Sequence, residues 1–148
     1  MVSNLTAHVG FWLRYVSNHV SQAFARKLEG HGVTAAEWVV MRELHDGEAV
    51  APSRLAGRLG MTRGAITKLA DRLIEKSLAT RKANPDDARA QTLTLTAQGR
   101  RLVPELAALA DRNDAEFFDH LTAAETATLK RLLKGIVERR GLKTLPID

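Results

Sequence analysis

Apolar residues recur in steps of three and four along most of the chain, the spacing of one face of an α-helix. The first such stretch covers residues 5–28 and is followed by Gly30 and Gly32, which predict its end. The same spacing predicts five further helices, over about 35–44, 52–59 and 62–76 and after Thr96 and Thr122. Thr34-Ala-Ala-Glu37 and Thr122-Ala-Ala-Glu125 have the sequence of a capping box, which supports two of these starts.

The exception to helical spacing lies between residues 78 and 95. Leu93 and Leu95 alternate there with threonines, the period of two that is typical of a half-buried strand. Segments 78–82 and 91–95 flank the turn-forming sequence Asn-Pro-Asp-Asp and predict a β-hairpin. Residues 49–51 predict a further short strand.

The helices 52–59 and 62–76 are separated by only Gly60, Met61 and Thr62, which is the spacing of a helix-turn-helix. With the hairpin directly behind it, this motif predicts a winged helix-turn-helix over residues 49–95. The fold class predicted is therefore mainly α, with a small β-hairpin as the wing.

Residues 53–94 contain all of the excess positive charge. Nine Lys or Arg and four Asp or Glu give this stretch a net charge of +5, and the other 106 residues contain 13 of each sign. Such a patch suits a polyanion, because neutralising phosphates releases the counterions condensed on nucleic acid. The partner that the patch predicts is double-stranded DNA.

The second helix of the motif is long enough to lie in the major groove, with its N-terminal end at the base edges. Five residues of its outward face are the predicted DNA contacts: Thr62, Arg63, Thr67, Lys68 and Arg72. Arg63 and Lys68 are the best placed for bases. The hairpin adds Arg81, Lys82 and Arg89, which suit phosphates or a narrow minor groove.

The composition argues against several other classes of function. There is no cysteine, which removes disulfides, thiolate catalysis and Cys-based zinc sites. No run of 18 apolar residues predicts a membrane span, and the N-terminus lacks the features of a signal peptide, so a cytoplasmic location is expected. GxSxG and HExxH motifs are missing, and no two of the five histidines lie three or four residues apart. Neither an enzyme nor a resident cofactor or metal is predicted.

The segment Pro52–Gly99 resembles the central block of the multiple antibiotic resistance regulator (MarR) family. Its stretch NPDDARA is similar to that family's Asp-x-Arg wing signature, which places Asp87 and Arg89 on the two charged positions. The order of elements resembles the family over about residues 5–140. The resemblance implies that Asp87 and Arg89 pair within the wing, so that Arg89 is held for DNA contact.

Three positions depart from the expected pattern. Ser77 stands where the family usually has a glycine between recognition helix and wing, so a left-handed backbone there would be somewhat strained. Ala88 replaces a common arginine, which would weaken the grip of the wing. Ala51 gives the helix that begins at Pro52 no side-chain cap.

The resemblance implies a homodimer that binds a pseudo-palindromic operator and regulates transcription, most often as a repressor. The domain plan that it implies is a single domain, with dimerisation helices at 5–30 and 96–140, the winged motif at 49–95 and a tail at 141–148. The residues agree, because three amphipathic helices have more apolar surface than one small winged domain can cover. Three interface candidates lie on these apolar stripes: Phe117, Leu132 and Ile136.

The resemblance also implies a small effector, often an aromatic acid, bound between the dimerisation helices and the winged motif. The candidate residues are Trp12, Tyr15, Trp38 and Arg42, of which Arg42 can pair with a carboxylate. The alternative, favoured by the residue types, is that these aromatics serve core and interface packing. Two further functions stay open: an architectural DNA-binding protein that reads no sequence, and a metal-responsive regulator.

Overall fold

The computed structural model describes residues 1–84 and 87–143, with side chains outside 84–90, and this part of the chain forms six α-helices and one hairpin. In chain order they are α1 Val9–Glu29, α2 Ala35–His45, α3 Pro52–Leu59, α4 Arg63–Glu75, β1 Ala79–Asn84, β2 Asp87–Leu95, α5 Ala97–Phe118 and α6 Ala123–Arg140. The predicted fold class, mainly helical with a hairpin wing, is confirmed. Most of the predicted tail, residues 144–148, lies outside the described residues.

Threonine side chains begin four of the helices. Each hydroxyl accepts a hydrogen bond of 3.1 Å from a backbone N–H three residues on, which satisfies a donor that the first helical turn leaves unpaired. The four threonines are Thr34, Thr62, Thr96 and Thr122. Both predicted capping boxes are present. Helix α3 has no side-chain cap, as expected from Ala51. Helix α5 begins at Ala97 and contains Pro104.

The hydrophobic core lies where α1, α2, α3, α4, β2 and α5 meet. Each contributes at least one side chain that is 1% exposed or less: Leu28, Met41, Leu55, Ile66, Leu93 and Leu106. The side chains that pack the two helices of the helix-turn-helix together are also buried, among them Ala56, Met61 and Leu69, and Leu59 is partly covered. This core fixes α4 on the body of the chain and leaves its opposite face in solvent.

The hairpin is antiparallel and longer than predicted. Ala79 pairs with Leu95 and Ala83 with Gln91, and the register shifts between Ala83 and Asn84. The strand predicted at 49–51 is reduced to one residue, since Val50 alone pairs with Leu93 through backbone hydrogen bonds of 2.9 and 2.8 Å. This bridge joins the segment before α3 to the base of the wing.

Helices α1 and α5 are joined through a buried amide. Asn113 is 4% exposed; its Nδ2 donates to the Val20 carbonyl at 3.1 Å, and its Oδ1 accepts from Lys27 Nζ at 2.9 Å. Lys27 also pairs with Glu116 at 2.8 Å. A buried polar group is tolerated when it is fully hydrogen-bonded, so Asn113 fixes the alignment of two otherwise apolar stripes.

The backbone between α4 and β1 packs directly on the first turn of α5. Ser77 has a φ of 62°, the left-handed conformation expected where the family has glycine. Its carbonyl accepts from Thr96 Oγ1 at 2.7 Å, and the Leu78 carbonyl accepts from Thr96 N at 3.0 Å. A Cβ on Gly99 would lie 2.2 Å from that same Leu78 carbonyl oxygen. Glycine is therefore required at position 99 by a close backbone approach.

We expect Gly99→Ala to destabilise the fold by about 1–3 kcal/mol, because a backbone carbonyl cannot rotate away from the added methyl group. Gly57→Ala is the matched control. Gly57 is interior to α3 and has open space around it, so alanine should stabilise by up to ~1 kcal/mol through helix propensity. Urea unfolding followed by circular dichroism measures both. Equal stabilities for the two variants would contradict the close contact at Gly99.

Candidate nucleic-acid interface

The turn between α3 and α4 sets the direction of the outward face of α4. Gly60 ends α3 with a φ of 65°, and the Met61 N–H donates back to the Ala56 carbonyl at 3.0 Å. Met61 then turns inward, 7% exposed, and Thr62 caps the next helix. Ile66 and Leu73 are fully buried on the inner face of α4, so the residues on the opposite face of the helix point to solvent.

All five predicted contact residues of α4 are exposed: Thr62, Arg63, Thr67, Lys68 and Arg72. Two of them use their hydroxyls within the helix, since Thr62 Oγ1 accepts from Ala65 N and Thr67 Oγ1 donates to the Arg63 carbonyl at 3.0 Å. Among the described side chains, the three cations of this set make no salt bridge. The face therefore presents positive charge beside short side chains, which suits close approach to a duplex groove.

The wing is tied to α4 by an ion pair that the sequence did not predict. The Arg81 guanidinium donates a hydrogen bond to Asp71 Oδ1, so the arginine predicted to contact DNA is engaged by a carboxylate of α4. Lys82 is exposed and points away from the core. Asp87 and Arg89 lie on the backbone of β2, but their side chains lie outside the described residues.

A second cation of the basic stretch faces the protein. Lys76, at the C-terminal end of α4, donates to the Gly32 carbonyl at 2.9 Å and to Glu37 Oε1 at 2.8 Å. The sequence did not indicate the Lys76–Glu37 ion pair, because the two residues are 39 positions apart. The capping box also gave Glu37 a role that did not require a cation. Lys76 and Arg81 must therefore be counted separately from the cations of the outward face.

A cavity of about 830 Å³ lies between α1, the start of α2 and one flank of α4. Ser21 and Gln22 of α1 face Lys68 and Arg72 of α4 across it, and apolar atoms of Leu69 contribute to the wall. A ligand here would touch two of the predicted DNA-contacting cations. The sequence did not predict this cavity, because its walls come from three separate elements.

The four predicted effector residues lie in different environments. Trp12 and Tyr15 are 51% and 55% exposed on α1, and Trp12 Nε1 donates to the Thr6 carbonyl. Trp38 is 9% exposed in the core, and Arg42 pairs with Asp46 at 2.8 Å. In the part of the chain that the structure describes, Trp38 is packed into the core whereas Trp12 and Tyr15 are exposed on α1, so one protomer does not gather the four into a single site.

An apolar groove of about 620 Å³ runs between α1, the end of α5 and α6. Trp12, Phe117 and Leu133 line it. Helix α6 has no buried residue in this chain, and its apolar side chains, including Leu132 and Ile136, are 37–51% exposed. All three predicted interface candidates therefore lie in or beside apolar surface that one protomer leaves uncovered.

No helix in the part of the chain that the structure describes has the length and hydropathy of a membrane span. Within the same residues, no three His, Asp or Glu side chains are grouped so that they could hold a metal ion.

The chain is similar to proteins of the MarR family. A family model described as MarR family matches residues 31–90. The multiple antibiotic resistance protein MarR of Escherichia coli K12 is 32% identical over 106 residues, which are 71% of this chain and 74% of that protein. A mutant of E. coli MarR complexed with operator DNA is 28% identical, with a TM-score of 0.80 over 87% of this chain and 93% of that one. Bordetella bronchiseptica BpsR, whose DNA binding is regulated by 6-hydroxynicotinic acid, is 25% identical, with a TM-score of 0.83 over 92% and 97%.

The Asp71–Arg81 pair predicts how one substitution changes DNA binding. Asp71→Asn removes a negative charge beside the outward face and releases Arg81. We therefore expect tighter binding to duplex DNA and a log–log salt dependence steeper by about one unit. Asp111→Asn, on exposed α5, makes the same change of charge outside the motif and should leave the slope unchanged. Anisotropy titrations at several salt concentrations decide this. An unchanged slope in Asp71→Asn would show that Arg81 contacts phosphate while paired.

Proposed function

The chain belongs to the MarR family of transcriptional regulators, and on this premise we propose that it represses transcription as a homodimer bound to a pseudo-palindromic operator. It acts in the cytoplasm, on double-stranded DNA, without a catalytic step or a bound cofactor. The observation that carries the proposal is the exposed basic face of α4, held on a buried core beside a basic wing.

The proposal assigns separate tasks to α4 and the wing. Arg63 and Lys68 read base edges from the first two turns of α4, because the N-terminal end of a recognition helix lies deepest in the major groove. Arg72 and Lys82 contact phosphates, which position the protein without reading sequence. Arg89, on the strand leading from the wing tip, adds a phosphate or minor-groove contact.

The second protomer covers the apolar groove between α1, α5 and α6. Exposed apolar surface on three helices is unfavourable in water by ~25 cal/mol per Å² and is typical of an interface. Phe117, Leu132 and Ile136 lie in or beside this surface, which supports a dimer built from α1, α5 and α6. Trp12 also lines the groove, so its role in the proposal is packing at the interface.

A small aromatic carboxylate is the proposed effector, and the cavity between α1, α2 and α4 is its proposed site. The regulation of BpsR by an aromatic acid supports an effector of this class. Lys68 and Arg72 line this cavity and can pair with a carboxylate. Because these side chains also belong to the outward face, ligand and operator compete for them, and operator titrations with and without benzoate test the competition.

Substitution in α4 and in the wing should affect DNA binding differently. The operator is first obtained by selection from random duplexes. Lys68→Ala should then reduce the binding free energy for the operator by ~1–3 kcal/mol, and that for a scrambled duplex much less, because a base contact is lost. Lys82→Ala should weaken binding to both duplexes equally. Binding titrations on the two duplexes measure both effects. Equal affinity of the wild type for operator and scrambled DNA would instead support an architectural protein that reads no sequence.

The dimer is tested by placing charge in the proposed interface. Leu132→Glu combined with Ile136→Glu should convert a particle of about twice 16.3 kDa into monomers or unfolded chains, since unpaired charge would be buried at the contact. Arg131→Glu, on the opposite side of α6, is the control and should remain dimeric. Light scattering coupled to size-exclusion chromatography gives the mass. A wild-type mass near 16.3 kDa would contradict the dimer.

A further inference from the structure

Lys76 is placed to hold the C-terminal end of the recognition helix, α4. It is the C-cap residue directly after α4, and its N–H still bonds the Arg72 carbonyl at 3.1 Å. Its ammonium group turns away from the outward face and bonds the Gly32 carbonyl and Glu37 Oε1 at 2.9 and 2.8 Å. The two partners belong to the α1–α2 connection and the first turn of α2.

Glu37 is a fixed and ionised partner for this lysine. Its side chain is fully buried, and Oε1 also accepts from the Thr34 backbone N–H at 2.8 Å. Burial opposes ionisation, but the hydrogen bonds from Lys76 and Thr34, with the charge of Lys76, outweigh it and lower the pKa of the Glu37 carboxyl. A buried carboxylate that also belongs to the capping box of α2 thus binds the end of α4.

The residues after Lys76 are held from the opposite side. Ser77 and Leu78 are bonded through their carbonyls to Thr96, at the start of α5, and Gly99 packs against Leu78. The C-terminal end of α4 is therefore bound by α2 on one side and by α5 on the other. At the N-terminal end of α4 the described bonds are more local: the Thr62 hydroxyl caps the helix, and the Met61 N–H bonds the Ala56 carbonyl of α3.

We propose that Lys76 is a positioning residue for DNA recognition: its bonds to Glu37 and Gly32 set the direction of α4 relative to the dimerisation helices, and so the separation of the two recognition helices. The proposal rests on the dimeric operator-binding function above. A dimer must present these helices about 34 Å apart to fill two successive major grooves, so small rotations of α4 about its C-terminal end change the fit. Lys76 does not neutralise a phosphate.

The direction of α4 can be measured without DNA. Because the chain has no cysteine, Thr67→Cys places one spin label on each recognition helix of the dimer, and pulsed electron paramagnetic resonance gives the distance between the two labels. Lys76→Met should broaden or shift the distance distribution. Lys82→Met, an equal loss of charge on the exposed wing, should leave it unchanged.

A double variant separates positioning from stability. Lys76→Met alone leaves Glu37 buried without its cation, which destabilises the fold. Glu37→Gln with Lys76→Met removes both charges, and the Gln carbonyl can still accept from Thr34. The double variant should regain stability but keep the broadened distribution. A distance distribution like that of the wild type, in the double variant or in Lys76→Met itself, would overturn the proposal.

Salt dependence gives an independent readout on DNA. Lys82→Met should lower the log–log slope by about one unit for its lost phosphate contact, whereas Lys76→Met should leave the slope unchanged. Lys76→Met should instead reduce, by roughly tenfold, the preference for the operator over a duplex with one base pair inserted between the half-sites. A slope reduced equally in both variants would make Lys76 a phosphate contact. If the wild type binds no duplex specifically, the proposed function fails, and the spin-label distances still decide the role of Lys76.

Discussion

The contact between the Leu78 carbonyl and the first turn of α5 determines where the recognition helix ends and where the wing begins. It is a contact of backbone on backbone, with the Thr96 N–H 3.0 Å from that oxygen and no room for a Cβ at Gly99. A side chain can change rotamer to relieve a poor fit, whereas a backbone contact is relieved only by moving a whole segment. A change in the packing of α5 would therefore act on the end of α4 without a separate linker.

Local sequence signals predicted most of the fold because they act within a few residues. Capping by Thr34, Thr62, Thr96 and Thr122, the short helix-turn-helix spacing and the alternation near Leu93 each concern neighbours in the chain. The left-handed backbone at Ser77 was also foreseen, from the resemblance, and is present. What could not be predicted depends on residues brought together by folding.

The candidate site shows this limit most clearly. The outward residues of α4 follow from helical periodicity, but the Asp71–Arg81 pair joins two elements whose relative orientation no local pattern records. Likewise, Trp38 and Trp12 have similar chemistry, yet one is buried in the core and the other lines an apolar groove on α1. A count of cations alone overestimates the number available to phosphates, since Arg81 is paired with Asp71 and Lys76 with Glu37.

Helix α6, described in full, contributes no buried residue to its own protomer, so most of the cover for its apolar side chains has to come from a second chain. In the proposed dimer, the stability of the folded protein therefore depends on its concentration, because the stability gained by association rises with protomer concentration. At low concentration, newly made chains would remain monomeric for longer and would be cleaved by proteases more readily. The amount of active regulator would then rise more steeply than its rate of synthesis, with a threshold set by dimer affinity.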